Sequence, residues 1–210
     1  MSARGTRSNH LPKRDSAARS HILDAAEVLF ARHGFDATPT AAIATAAQVP
    51  KGLIFYYFPT KAAILEALIS ERCPVDPLAD LTALVAPGDP ATSLVNLDNA
   101  LNLCDHDSSV LRVIIWREAE THPGARTRLR MLRSYLRDAT VRVLQASVPG
   151  PVSPNALRAA AATWVSAMFS AAATDRWFDL DGLPRSREEL RNVARLVAAG
   201  LSGITSLALS

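Results

Sequence analysis

An all-α fold is what this 210-residue sequence predicts, and three features carry the expectation. Apolar residues recur at helical spacing along the chain, proline and capping residues stand where helices should begin, and no stretch alternates as a half-buried strand would. Hydrophobic residues make up 49% of the chain, which allows a sizeable core and argues against global disorder.

Taken in order, Asp15-Ser16 offers an N-cap to a first helix whose stripe is Ile22, Ala26, Leu29 and Phe30, and Gly34 is placed to close it in the left-handed conformation. Thr38-Pro39 then reads as a cap followed by proline at the first helical position. The short second helix has Ala42, Ile43 and Ala46 as its apolar face and is interrupted by Gln48-Val49-Pro50. Lys51 to Tyr57 forms a third short helix, stopped by Pro59. Thr60 caps a fourth, with Ile64, Leu65, Leu68 and Ile69 as its buried stripe. Two short helices joined by a tight turn between longer ones predict a helix-turn-helix.

Pro74, Pro77, Pro87 and Pro90 limit the next stretch to short helical pieces. Beyond them, 91–104, 108–122, 125–147, 154–175 and 186–206 read as helices. In 125–147, Leu129, Leu132, Leu136, Ala139 and Val143 mark one face, and Ser153-Pro154 repeats the cap-plus-proline start. The predicted organisation is a basic flexible arm (1–15), a helix-turn-helix domain (16–66) and a larger helical domain (67–210).

The stretch PKGLIFYYF (50–58) crowds four aromatics into a chain that is only 6% aromatic. Helical spacing sets Lys51, Leu53 and Tyr56 toward one side. Ile54, Tyr57 and Phe58 fall toward the other, where they would pack on Ile43 and the first helix. Phe55 and Tyr56 are therefore candidates for a DNA-facing side, the alternative being that all four aromatics are core. Gly52 would let the backbone approach a sugar-phosphate chain closely. Charge points the same way: residues 1–21 hold five cations against Asp15, whereas 22–61 are neutral. The arm residues Arg4, Arg7, Lys13 and Arg14 suit a polyanion.

Other chemistries find little support. Cys73 and Cys104 lack metal-type spacing and read as reduced thiols of a cytoplasmic protein. The N-terminus lacks the apolar run of a secretory signal, and the uncharged stretch 159–174 is short and Ala-rich, a buried helix rather than a membrane span. CDHDSS (104–109) tempts a metal reading, but Asp107 or Ser108 capping the next helix accounts for it better. Glu118/Glu120 and Glu188/Glu189 are not placed as an acid–base pair, and no phosphate loop or nucleophile elbow is present. Neither enzymatic activity nor a cofactor is expected.

Residues 22–65 resemble the N-terminal DNA-binding domain of the TetR family of bacterial transcriptional repressors. The ordered set is Leu23-Asp24-Ala25-Ala26, Leu29-Phe30, Gly34-Phe35, Thr38, Ile43-Ala44, Ala47, Val49, Lys51-Gly52, Ile54, Tyr57-Phe58 and Lys61. The resemblance implies DNA contacts from Thr38, Thr40, Gln48, Lys51, Gly52, Leu53, Phe55, Tyr56 and Lys61. In that set Thr38 caps the second helix and bonds a phosphate, Leu53 faces the bases, Phe55 and Tyr56 lie near phosphates, and Lys61 anchors the fourth helix to the DNA backbone. The chain departs from the family at Gln48 (usually Gly), Pro50 (usually Ser), Phe55 (usually Tyr) and Ala41 (often basic or polar).

For the larger domain the resemblance implies small-molecule binding, with Leu101, Cys104, Trp116, Met131, Trp164 and Phe169 as candidate contacts to a hydrophobic effector. It also implies a homodimer through the last two helices, with Ala160, Ala199 and Leu201 as candidate interface residues. The expected function is a ligand-responsive repressor, bound as a dimer to a palindromic double-stranded DNA operator and released by its effector. The alternatives are a basic-armed DNA-binding protein of low sequence specificity and an enzyme with a helical pocket.

Overall fold

A computed structural model describes residues 13–72, 77–78, 80–101, 114, 117–178 and 185–207. Among them are eight α-helices and no strand: α1 (Lys13–His33), α2 (Thr40–Ala46), α3 (Lys51–Tyr57), α4 (Lys61–Arg72), α5 (Pro90–Leu101), α6 (Pro123–Ser147), α7 (Pro154–Phe178) and α8 (Arg185–Leu207). A single 3₁₀ turn, Thr82–Leu84, precedes α5. The all-α expectation holds.

Helix ends follow local chemistry, with instructive exceptions. Gly34 closes α1 at φ +83°, its N–H donating to Phe30 O at 2.8 Å. Thr60 caps α4 by accepting the Ala63 N–H at 3.1 Å, and Ser153 Oγ accepts the Ala156 N–H at 3.2 Å at the start of α7. By contrast, α1 begins at Lys13, upstream of the expected Asp15 cap. Pro12 followed by two good helix formers favours that earlier start, so Lys13 and Arg14 belong to a helical turn and not to an arm. Pro90 does not restrict a helix but opens one: Asp89 Oδ1 accepts the Thr92 N–H at 2.9 Å and proline takes the first turn of α5. The expected 108–122 helix lies mostly outside the described residues. Its end is visible at 117–118, followed by a turn in which the His122 N–H reaches Glu118 O at 2.7 Å.

Two apolar cores result. The first gathers Ile22, Ala26 and Phe30 of α1, Ile43 of α2, Ile54 of α3, Phe58, and Ile64, Leu65, Leu68 and Ile69 of α4. It also takes Ile114 and Ala125 from further along the chain. The boundary expected at residue 66 therefore falls inside α4, between side chains of one core. The second core is built from α5 to α8, with Leu94, Leu97, Leu136, Val143, Trp164, Val165 and Met168 at its centre. Helix α6, about 37 Å long at 1.5 Å per residue, joins the two, and its Leu129 packs against both.

Candidate nucleic-acid interface

Helix α3 is held from one side only. Ile54 (0% exposed) and Phe58 (3%) are buried in the first core, and Tyr57 packs partly against it. Arg19 of α1 places its guanidinium 5.0 Å over the Phe58 ring, fixing the end of α3 to α1. The opposite side carries Lys51, Gly52, Phe55 (47% exposed) and Tyr56 (69%), with Leu53 half-buried at the edge. The Tyr56 ring leans edge-on against Tyr57 at 5.0 Å, which limits its freedom. A Cβ built at Gly52 would meet nothing within 4 Å, so packing inside the chain does not require glycine there; the bare backbone is open to a partner. Of the four aromatics, Phe58 is core, Tyr57 is intermediate, and Phe55 and Tyr56 face outward.

The turn before α3 is a Schellman motif. Gln48 N–H reaches Thr45 O at 3.1 Å, Val49 N–H reaches Ala44 O at 3.0 Å, and Gln48 adopts φ +56°. A glutamine thus occupies the left-handed position that glycine fills without steric cost, and its side chain is exposed beside α3. Pro50, at the N-cap of α3, brings no side-chain acceptor.

Two expected contacts are turned inward. Thr38 is 1% exposed, and its hydroxyl donates to Gly34 O at 2.7 Å and Leu29 O at 3.3 Å. It neither caps α2, whose N-cap is Pro39, nor presents a donor to a phosphate. Lys61 donates from Nζ to Phe35 O at 2.7 Å and Asp36 O at 3.2 Å, with the ammonium 4.4 Å over the Phe35 ring. The charge that was assigned to the DNA backbone instead braces the α1–α2 connection. Thr40 is half-buried in the first turn of α2. Sequence reasoning missed Thr45, exposed one turn after Ala41 with its hydroxyl donating to Ala41 O at 3.1 Å. Its i+4 spacing from Ala41, just ahead of Gln48, was the available signal. Arg4 and Arg7 lie outside the described residues.

Around this face, charge pairs tie α1 to α4. Arg72 bridges Asp24 at 2.6 Å and Glu27 at 2.8 Å, and Arg19 bonds Glu71 at 2.7 Å. The hydrogen bonds from Arg19 hold the Glu71 carboxyl below its ordinary value, against a smaller upward push from burial.

The remaining candidates divide in the same manner. Leu101 (1% exposed), Trp164 (0%) and Phe169 (9%) are inside the second core. Met131, expected to line a pocket, is 44% exposed, because it points away from the face that Leu129, Leu132 and Leu136 share. Cys104 and Trp116 lie outside the described residues. Of the expected interface residues, Ala199 is exposed, Ala160 packs partly on the second core, and Leu201 is buried within the chain's own core at 2%. Leu196, which sequence reasoning passed over, is 73% exposed on α8. It shares a face with Ala199, Gly200 and Gly203 at i, i+3, i+4 and i+7. Among the described residues no cluster of His, Cys, Asp and Glu could hold a metal ion, and no single helix is long and apolar enough to cross a membrane.

Comparison with known proteins agrees with this geometry. Residues 22–68 match the family described as bacterial regulatory proteins, tetR family. No curated protein matches the chain. Solved structures do so over most of its length. A TetR-like transcriptional regulator from Rhodococcus sp. RHA1 is 22% identical and superposes with a TM-score of 0.63 over 91% of this chain and 100% of its own. A tetR-family transcriptional regulator from Streptomyces coelicolor is 21% identical, with a TM-score of 0.65 over 91% of this chain and 83% of its own. The multidrug binding protein EbrR, in complex with imidazole, is 19% identical, with a TM-score of 0.60 over 92% and 97%. Residues 22–68 thus carry the signature of the tetR family of bacterial regulatory proteins, and the chain shares the all-helical fold of solved tetR-family regulators beyond them.

Proposed function

We propose that the chain is a ligand-responsive repressor that binds a palindromic DNA operator as a homodimer and is released by a hydrophobic small molecule. The observation that carries the reading is the division of α3. One side is committed to the core through Ile54 and Phe58, while Lys51, Gly52, Phe55 and Tyr56 stand outward, away from that core. A short helix braced in this way can present its outer side to a major groove, with the flanking groups on phosphates. The dimer rests on the apolar ridge Leu196, Ala199, Gly200 and Gly203, where the glycines leave open space that a second α8 could fill. The effector reading rests on the largely apolar second core around Leu101, Trp164 and Phe169, and on a structural neighbour that is a multidrug binding protein. Arg4 and Arg7 would add phosphate attraction that α2 and α3, with Lys51 as their one cation, supply sparingly.

The experiment is selection of duplexes from a random-sequence pool, followed by sedimentation of the protein with the selected duplex. A two-fold symmetric site bound by two protomers is the expected result. Tyr56→Ala and Lys51→Ala should each weaken it by about 5- to 150-fold, the range of a lost 1–3 kcal/mol contact. Enrichment of no sequence would mean a DNA-binding protein of low specificity. Leu196→Arg should yield folded monomers; a dimer that survives it removes α8 from the interface.

A further inference from the structure

The connection between α1 and α2 is gripped from a turn more than eighty positions further along the chain. Gly34 N–H goes to Phe30 O and Gly34 O accepts the Thr38 hydroxyl. Phe35 O accepts Lys61 Nζ. The Phe35 N–H alone finds its acceptor outside the first domain, in Glu118 Oε1 at 3.0 Å. Glu118 is 5% exposed, and its other oxygen lies 3.4 Å from the Thr121 hydroxyl and 3.6 Å from His122 Nε2. The neighbouring residues join the grip. Arg117 Nη1 donates to Ala31 O at 3.2 Å and lies 3.5 Å from Phe30 O, at the negative end of α1. The His122 ring sits edge-on to Phe35 at 4.2 Å. Glycine at 34 is required by its φ of +83° and not by the approach, since a Cβ there would stand in ordinary contact, 3.4 Å from Arg117 Nη1 and 3.9 Å from Glu118 Oε1.

We propose that Glu118 is a positioning residue that couples the effector-side domain to the DNA-reading helices through the backbone of Phe35; this rests on the regulator reading above. The relay is short. Glu118 holds the N–H side of Phe35, Lys61 holds its C=O side, and Lys61 begins α4 three residues after Phe58 ends α3. Packing alone would be served by an apolar side chain at 118. A buried carboxylate is costly unless bonded, and here its charge strengthens a single bond across the domain junction. Any shift of the 117–122 turn either carries Phe35 along or leaves a buried N–H without an acceptor. The bond thus makes the position of Phe35 depend on that of the turn, the kind of differential contact that coupling between sites requires. A loosened head would have to be ordered again each time two recognition helices meet two half-sites.

Hydrogen exchange on the full-length chain tests the coupling without DNA. Glu118→Ala should speed exchange in 34–38 and 51–58 by about tenfold, equivalent to about 1.4 kcal/mol. Glu118→Gln, which keeps an acceptor but not the charge, should speed exchange there by clearly less than Glu118→Ala does, and α7 (154–172) should be unchanged in both. On the duplex selected by the native protein, Glu118→Ala should bind about tenfold more weakly and Glu118→Gln should fall between it and the native chain. Unchanged exchange in α3, or an increase shared equally by α7, overturns the inference. So does native affinity of Glu118→Ala for the selected duplex. If the native chain selects no duplex, the regulator reading fails while exchange still decides whether Glu118 holds α3.

Discussion

Helices α2 and α3 have seven residues each, whereas α6 and α7 have 25, and the two pairs are held by different means. Seven residues are too few to persist alone, since helices shorter than about 12–15 residues are marginal in water. The short pair buries little beyond Ile43, Ala44 and Ile54 and is fixed largely by discrete contacts: the Schellman turn at Gln48, Arg19 over Phe58, and the inward hydroxyl of Thr38. The long pair relies on continuous apolar burial, with Leu136, Ala139, Val143, Trp164 and Met168 sealed between helices. The difference teaches where specificity can be tuned. A contact-held region can alter one bond and move one helix, whereas a burial-held region responds chiefly to volume.

The sharpest way to break this contrast is a truncation in the burial-held region. Trp164→Ala removes the largest fully buried side chain among the described residues and should cost about 3–5 kcal/mol, read as a lower denaturant midpoint. A loss under about 1 kcal/mol would mean that the second core is not closely packed. In the contact-held region, Gln48→Gly should act in the opposite direction. Relief of the left-handed backbone is worth about 1–2 kcal/mol, and the added freedom of glycine in the unfolded chain takes back about 0.5–1. A net gain below about 1 kcal/mol is expected, visible as a small rise in Tm.

The smallest effect concerns Arg19 and Glu71, whose side chains are 31% and 43% exposed. The Arg19 hydrogen bonds lower the folded Glu71 pKa, so the unfolded state binds the proton more tightly. The pair's contribution is therefore present above about pH 4.3 and fades as pH falls through the folded value. Solvent screening keeps it within about 1 kcal/mol. Denaturant melts of native chain and Glu71→Gln should differ near pH 7 and draw together as pH falls below the unfolded value; a gap that does not shrink with falling pH would assign it to packing.

Much of this architecture was legible because its causes are local. Gly34, Thr60 and Ser153 each end or begin a helix through a bond within three or four residues, and the split of Phe55 and Tyr56 from Ile54 and Phe58 follows from helical spacing. The errors share a different cause. The Thr38 hydroxyl and the Lys61 ammonium could have faced solvent or protein; the chain's turn after α1 gives Thr38 the carbonyls of Gly34 and Leu29, and the packing of α4 against α1 brings Lys61 to those of Phe35 and Asp36. In α8, Leu196 and Leu201 look alike as residues. Contact with α5 and α7 buries Leu201 and leaves Leu196 outside, which no window of sequence specifies. The bond from the Phe35 N–H to Glu118 was not legible either, because the two residues lie 83 positions apart.

The core around α3 takes Ile114 and Ala125 from beyond α4, and the Phe35 amide depends on Glu118. A transplantable reading head therefore does not coincide with any contiguous stretch of this chain. Grafting residues 13–72 onto another helical domain would leave two apolar vacancies and a stranded donor at the seam. The recipient must be re-cut to supply an isoleucine-sized side chain, an alanine and a hydrogen-bond acceptor at those three places. The smallest portable unit is therefore the head together with Ile114, Glu118 and Ala125.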